Sequence, residues 1–281
     1  MQKQAVVWLN DDLLPLSQAR VSVDDRGFLY GDGFFETLRA EDGRVFFLDE
    51  HLNRLRSSTQ AFRLSFPGDI PWEKRLQELL AVNGLLKGSA AVKILLTRGE
   101  APGLGLPATL SPTLVIYARP YLPPSPEEYA TGWPVVVFPE RRTTFIGRHK
   151  SLNYLFYLAA RQYALDQGAR EALILEADGS VSEGAATSLV LVLKDRLISP
   201  AATSALPGVT VAVLARSLER RGKNLEQTPL SLSQVEQADG LWLANSLMGL
   251  MPVSSLAGKP VPLAPETFAM LQKCLAQESR K

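Results

Sequence analysis

Cysteine occurs once in the 281 residues, at Cys274, and histidine twice, at His51 and His149. A lone thiol excludes an internal disulfide, and so few Cys and His residues cannot assemble a Cys/His metal site, so no metal is expected. No stretch approaches the roughly 20 apolar residues of a membrane helix, and the apolar run in MQKQAVVWLNDD is too short for a secretory leader. A cytoplasmic protein without a membrane partner is the expectation. Charge excess is absent too: 30 Lys and Arg face 29 Asp and Glu, a net charge of +1. No general field draws in nucleic acid, and any anion must be held by a local site. There is no internal repeat and no low-complexity tract. What is present is a globular composition, 46% apolar and 21% charged, long enough to bury a cofactor.

Taken in order, VVWLN, the turn at Asp11 and Asp12, and LLPL read as two strand-like pieces. FFETLR and RVFFL flank Glu41-Asp42-Gly43 as a hairpin, behind a glycine-rich stretch with Gly27, Gly31 and Gly33. Leu48, Leu52, Leu55, Thr59 and Phe62 then recur at helical spacing, with Asp49 as a candidate cap, and a second helix runs from Pro71 to Val82. Strands follow at 90–99 and 113–118. Prolines at 120, 123, 124, 126 and 134 mark a linker. The spacing predicts a small N-terminal α/β domain over 1–120, a Pro-rich linker over 121–132 and a larger C-terminal domain over 133–281. In the latter, SLNYLFYLAARQYALDQG reads as a helix closed by Gly168, and EALILE, TSLVLVL and RLISP read as strands. A helix follows over 206–222, then one further strand and loop in QADGLWLANSLMGLMPV, and a closing helix near Pro265 to Gln277.

Two stretches concentrate the chemistry. HKSLNYL at 149–155 sets Lys150 before an apolar helical segment, and LEADGSVSEGAATSLVLV, from Leu175, sets Glu183 in a turn between strand-like runs. A lysine able to form a Schiff base and a carboxylate able to face a pyridine nitrogen are what pyridoxal 5'-phosphate (PLP) chemistry requires. Two unit charges about 4 Å apart interact by about 4 kcal/mol at an effective dielectric near 20, enough to keep such a nitrogen protonated. A phosphate dianion could rest on the helix start at Leu206-Pro207-Gly208-Val209-Thr210, with donors from Asn245-Ser246 and the charge of Arg54. On spacing alone each group also has an ordinary reading: a surface lysine, a turn glutamate, a plain helix start and a solvated arginine.

Together, DRGFLYGDGFFETLR, HLNRLRSS, HKSLNYL, DGSVSEGAATSL, LPGVT and ANSLMGLMPV resemble the fold-type IV PLP enzymes, in order from about residue 6 to 257. That family includes branched-chain aminotransferases, D-amino-acid transaminases and 4-amino-4-deoxychorismate lyases. The resemblance implies a two-domain α/β (α+β) fold with a barrel-like mixed sheet in a larger, PLP-binding C-terminal domain, and a homodimer. It implies that Lys150 is the Schiff-base lysine and Glu183 faces the pyridine nitrogen. Arg54, the amides of Val209 and Thr210 beside Gly208, and the side chains of Thr210 and Ser246 would hold the phosphate. Leu206 would pack on the ring, and Tyr154 would lie near its phenolic oxygen. Tyr30, Phe35, Glu36 and Asn245 would line the side where a small-molecule amine enters.

Within the family, GDGFFETLR, KSLNYL and NSLMGLMPV look closest to the lyases, which convert 4-amino-4-deoxychorismate to 4-aminobenzoate and pyruvate in folate biosynthesis. That activity is the first expectation. A transaminase acting on branched-chain or D-amino acids is the alternative, and a non-catalytic binding protein that keeps the fold is a third. One departure bears on the choice: after TRG at 97–99, where relatives often carry a cation near 103–104, this chain reads EAPGLGLPA. Arg98, Arg141, Arg142 and Arg148 are the remaining candidates for the substrate carboxylate.

Overall fold

The computed structural model describes residues 5–108 and 111–279, so the first four residues of the N-terminal run lie outside it. The chain forms two units, one of Met1–Pro123 with His149–Asn153, the other of Pro124–Arg148 with Tyr154–Lys281. Lys150 therefore groups with the N-terminal unit, although the pattern placed it in the C-terminal half.

The N-terminal unit is a six-stranded antiparallel sheet in the order Asp12–Pro15, Val6–Leu9, Thr113–Pro120, Ser89–Thr97, Gly33–Glu41, Arg44–Val45. Its central pairing runs the full length of two strands, from Gly33 opposite Thr97 to Glu41 opposite Ser89. Period-two alternation puts Phe34, Leu38, Ala40, Val92, Ile94, Leu96 and Ile116 on one face, where the helices Leu48–Ala61 and Trp72–Val82 cover them with Leu52, Leu55, Leu76, Leu79 and Leu80. Each buried Leu, Ile, Val or Phe among them contributes about 1.5–3 kcal/mol. The residues between them, Phe35 and Lys93 among them, point to the other face.

The hairpin is shorter than RVFFL suggested. Pairing stops at Val45, and Phe47 takes a left-handed φ of 56° that turns the chain into the helix beginning at Leu48. Asp49 lies inside that helix's first turn and makes no capping bond, so it acts through the helix dipole instead.

The C-terminal unit holds a mixed sheet in the order Leu225–Thr228, Arg196–Pro200, Ser188–Leu193, Gly240–Asn245, Gly249–Leu256, Trp133–Val137, Glu171–Leu175, Val181–Gly184, with Lys259–Pro260 paired to Gly249–Leu256. Gly249–Leu256 and Glu171–Leu175 both run parallel to Trp133–Val137. The sheet curls on itself, bringing Val181–Gly184 against Ser188–Leu193 and Arg196–Pro200. This is the mixed α/β class with a barrel-like sheet that the resemblance implied. The helices Val209–Glu219 and Pro265–Glu278 pack Leu214, Leu218, Leu271 and Cys274 with Trp242.

Three local expectations change. The helix expected from Ser151 starts at Leu155, because Ser151 bridges to Phe34 as a strand residue. The stretch read as one strand and a loop is two strands, turned by Asn245, whose Oδ1 accepts the amides of Leu247 and Met248 at 3.0 and 2.9 Å. Part of the Pro-rich stretch is the helix Pro126–Thr131, started by a capping box between Ser125 and Glu128. Among the described residues, no helix is long and apolar enough to cross a membrane, and no group of three His, Cys, Asp or Glu could hold a metal ion.

Candidate active site

In the N-terminal unit, Lys150 is fixed by its backbone. Phe35 donates its amide to the Lys150 carbonyl at 2.8 Å, and Leu152 donates to the Gly33 carbonyl at 3.0 Å, so the segment lies along the start of Gly33–Glu41 as an added edge. Gly33 is required there, since a Cβ would sit 2.6 Å from the Leu96 carbonyl oxygen. The Lys150 Nζ lies 4.6 Å from the Phe35 ring centroid. His149 turns the other way, with Nδ1 3.0 Å from Ser58 Oγ and its ring against Phe34 and Phe62.

Arg54 projects from the helix Leu48–Ala61 onto the strand bearing Glu36. Its Nε and Nη2 donate to Glu36 Oε1 and Oε2 at 2.8 and 2.6 Å, and His51 Nδ1 lies 2.6 Å from Oε2. Burial pushes the Glu36 carboxyl up, but the Arg54 guanidinium, with hydrogen bonds from Arg54 and His51, holds it at about 2. Burial pushes His51 down, with Glu36 pulling against it. Glu36 is fully buried with both oxygens engaged. It orients Arg54. Phe35 is buried beside Lys150, whereas Tyr30 is half exposed at the end of the helix Arg26–Tyr30.

Arg98 is also committed. It is fully buried, bonds both oxygens of Asp32 at 2.7 and 3.1 Å and donates to the carbonyls of Phe62, Arg63 and Pro107. It secures the loop after the strand and leaves no donor for a substrate.

In the C-terminal unit, Glu183 stands on the strand Val181–Gly184, opposite Ile174. Its Oε1 is 2.9 Å from Arg142 Nη1 and accepts the Tyr157 hydroxyl at 3.0 Å, while Oε2 accepts the Leu206 amide at 3.1 Å. Burial pushes its carboxyl up, and Arg142, the Leu206 N–H and the Tyr157 hydroxyl pull against it. Burial, reinforced by Glu183, pushes the Tyr157 phenol well above its usual range, so it stays a donor. Arg142 is anchored in turn to the Ser204 carbonyl at 2.8 Å and to Ser182 Oγ at 3.1 Å. Arg142 is therefore the partner of Glu183 rather than a spare carboxylate binder. Arg141 and Arg148 donate to the carbonyls of Ala177 and Thr203.

Tyr154 stacks on Tyr157 with ring centroids 4.7 Å apart and donates to the Ala185 carbonyl at 3.4 Å. The helix Val209–Glu219 begins at Gly208 with no side-chain cap, which leaves the first amides, at Val209 and Thr210, for an anion. A Cβ at Gly208 would lie 2.4 Å from Ser188 Oγ and 3.2 Å from its Cβ, so Ser188 would have to shift to admit it. Glu183, Ser188, Leu206 and Gly208 line a cavity of about 490 Å³; Tyr154, Val209, Thr210, Asn245 and Ser246 are not on its wall. Ser246 lies in the turn after Gly240–Asn245. The N-terminal unit holds a primary amine at Lys150 and a guanidinium at Arg54, and the C-terminal unit holds a buried carboxylate at Glu183 and an uncapped helix start at Gly208, donor types that suit PLP. Arg142 and Tyr157 were missed as partners of Glu183. Tyr157 was visible as a helical neighbour of Tyr154, whereas nothing in the run ERRTTFIGR singles out Arg142.

The amino-transferase class IV family model matches residues 33–256. The D-alanine aminotransferase of Bacillus licheniformis is 30% identical over 290 residues, covering 98% of this chain and 99% of its own. The crystal structure of the Escherichia coli branched-chain amino acid aminotransferase superimposes with a TM-score of 0.85 at 26% identity, covering 96% of this chain and 93% of that one. A Legionella pneumophila protein provisionally named a 4-amino-4-deoxychorismate lyase shares the fold, with a TM-score of 0.85, 24% identity and coverage of 94% and 97%. With both the Lys150 and the Glu183 segments inside the matched region, this chain belongs to the class IV amino-transferase family.

Proposed function

We propose that the protein is a PLP-dependent aminotransferase that moves the amino group of a small amino acid to a 2-oxo acid. The observation that carries the choice of reaction is the likeness over almost the whole of both chains to the Bacillus D-alanine aminotransferase. PLP, the cofactor of this family, supplies when bound an aldehyde for the amine and a ring that takes up the electron pair left when the substrate Cα–H bond breaks.

The chain's own groups divide the remaining work. Lys150 would bind the aldehyde, and its Nζ would take the substrate's Cα proton as general base. Glu183, kept in place by Arg142, Tyr157 and the Leu206 amide, would face the ring nitrogen and keep it protonated. Thr210, Ser246 and the amides of Val209 and Thr210 hold the phosphate, with Arg54 oriented by Glu36 as counter-charge. Leu206 would pack on the ring, and Tyr154 would lie near its phenolic oxygen. Tyr30, Phe35 and Asn245 line the substrate side.

The substrate carboxylate goes to Lys93. Its ammonium lies 4.5 Å from the centroid of the same Phe35 ring that carries Lys150, and it has no ion-pair partner among the described residues. A homodimer belongs to the same reading.

A second reading, cleavage of 4-amino-4-deoxychorismate, is favoured by the phrases GDGFFETLR, KSLNYL and NSLMGLMPV. One experiment tests both. The purified protein is loaded with PLP and offered D- and L-amino acids with a 2-oxo acid, and separately aminodeoxychorismate. Transfer of the amino group, bleaching of the visible cofactor band by the amino acid alone, and a borohydride-fixed adduct on Lys150 are expected. Release of 4-aminobenzoate without transfer would replace the first reading by the second, and an adduct on a different lysine would overturn the assignment of Lys150.

A further inference from the structure

Glu171 opens the strand Glu171–Leu175 and is fully buried, yet it belongs to none of the groups assigned so far. Its Oε2 accepts the Thr187 hydroxyl at 3.1 Å and the Ala186 amide at 3.3 Å. Oε1 accepts the Ala172 amide at 3.0 Å and lies 3.7 Å from Arg161 Nη1. The first two donors lie in the turn directly after Glu183. That turn is closed by the Gly184 amide, which donates to the Thr187 carbonyl at 2.7 Å.

The outward-facing atoms of the turn meet residues already placed in the site. The Ala185 carbonyl accepts the Tyr154 hydroxyl at 3.4 Å, and the Ala186 carbonyl accepts Asn245 Nδ2 at 3.3 Å. Ser188, the next residue, is the one that a side chain at Gly208 would strike. Gly184 itself leaves room for the latch, since a Cβ there would lie 2.1 Å from Thr187 Oγ1 and 3.2 Å from the Glu171 carboxyl carbon. One buried carboxylate therefore fastens a four-residue turn whose neighbours are Glu183, Tyr154, Asn245 and Ser188.

We propose that Glu171 is a positioning residue for the cofactor: by locking the Gly184–Thr187 turn from beneath, it fixes where Glu183 and Tyr154 present their oxygens. A buried carboxylate is costly to keep, and burial pushes this one's pKa up against Arg161 and three donors. An apolar residue of the same size would fill the space but would leave the Ala186 amide and the Thr187 hydroxyl unpaired. A purely structural latch would stabilise the fold and go no further, whereas a positioning latch also sets cofactor affinity and the cofactor's electronic environment.

This inference rests on the PLP reading above, and the test separates the two. PLP is titrated into the full-length chain, stripped of cofactor, as wild type, Glu171→Gln, Thr187→Val and Thr187→Ser, with thermal unfolding of each cofactor-free protein alongside. Glu171→Gln and Thr187→Val should bind PLP about tenfold more weakly, as expected for loss of a hydrogen bond to a charged group, with a displaced visible maximum. Thr187→Ser, which keeps the hydroxyl, should retain wild-type affinity and spectrum. Wild-type affinity and spectrum in Thr187→Val, or equal losses in the Val and Ser variants, would overturn the proposal, and these two variants decide even if Glu171→Gln does not fold. A wild-type chain that takes up no PLP would instead overturn the cofactor reading itself.

Discussion

Glu36 gives one carboxylate oxygen to Arg54 Nε at 2.8 Å and the other to Nη2 at 2.6 Å, a two-pronged bond in which neither side chain can rotate without losing both contacts. His51, 2.6 Å from the second oxygen, closes the group from behind. An arginine held this way keeps its guanidinium in one orientation.

Glu36→Gln should destabilise the protein by about 3–5 kcal/mol, the usual penalty when a buried ion pair loses one partner, and should weaken PLP binding as well. The same group sets a pH dependence. The folded carboxyl titrates at about 2 and the unfolded one near 4.5, so the unfolded chain holds more protons between those values. The contribution, about 3 kcal/mol, is complete above pH 4.5 and is lost as the pH falls toward 2. His51, depressed by burial, acts in the same sense, because the unfolded imidazole takes up its proton first as the pH drops through 6.5. Urea unfolding of wild type and Glu36→Gln across this range measures both effects, and parallel curves would remove Glu36 as their source.

Glu183→Gln should keep the cofactor, because the phosphate donors on the helix Val209–Glu219 are untouched, while turnover falls roughly a hundredfold or more as the ring nitrogen loses its anionic partner. Single-turnover kinetics locate the loss in proton removal. Turnover close to wild type would show that Arg142 and Tyr157 hold Glu183 for a structural purpose alone.

Gly208→Ala should cost about 1–3 kcal/mol through contact with Ser188, since the new methyl group would lie 2.4 Å from Ser188 Oγ. The φ of −71° at Gly208 suits any residue, so crowding is the whole penalty. Ser188→Gly should then relieve most of it, and a double-mutant cycle read by thermal unfolding should give a coupling of about 1 kcal/mol or more. Additive effects would place the strain elsewhere.

Lys150 and Glu183 stood out as candidates because each sits in a short phrase whose neighbours carry the same chemistry: glycines around the carboxylate, an asparagine and a tyrosine after the lysine. Gly208 was legible as a helix start for a similar local reason. The groups that hold them were not. Arg54 lies off the apolar stripe of its helix, which reads as solvated, and only the pairing of the strand Gly33–Glu41 brings Glu36 beneath it. Arg142 and Glu171 meet their partners through strand order in a curled sheet, a long-range relation that no local spacing encodes. Even the failed cap at Asp49 has this character, since the left-handed turn at Phe47 had already fixed where the helix could begin.

Lys93 offers the sharpest test of how the substrate is held. Burial and the nearby charge of Arg119 push its ammonium below the usual lysine range, so it gives up its proton more readily than a surface lysine would. Lys93→Met keeps most of the volume and removes the charge. If the ammonium holds the substrate carboxylate, KM should rise about 10- to 100-fold, the loss expected for one charge-assisted hydrogen bond, while PLP affinity stays unchanged. Lys93→Arg should recover most of it. In the wild type, KM should climb with rising pH at values below 10.5, because the group deprotonates early, and Lys93→Arg should not show that rise. A KM that ignores both substitutions would assign the carboxylate to another group, and one that changes together with PLP affinity would show that Lys93 acts on the cofactor instead.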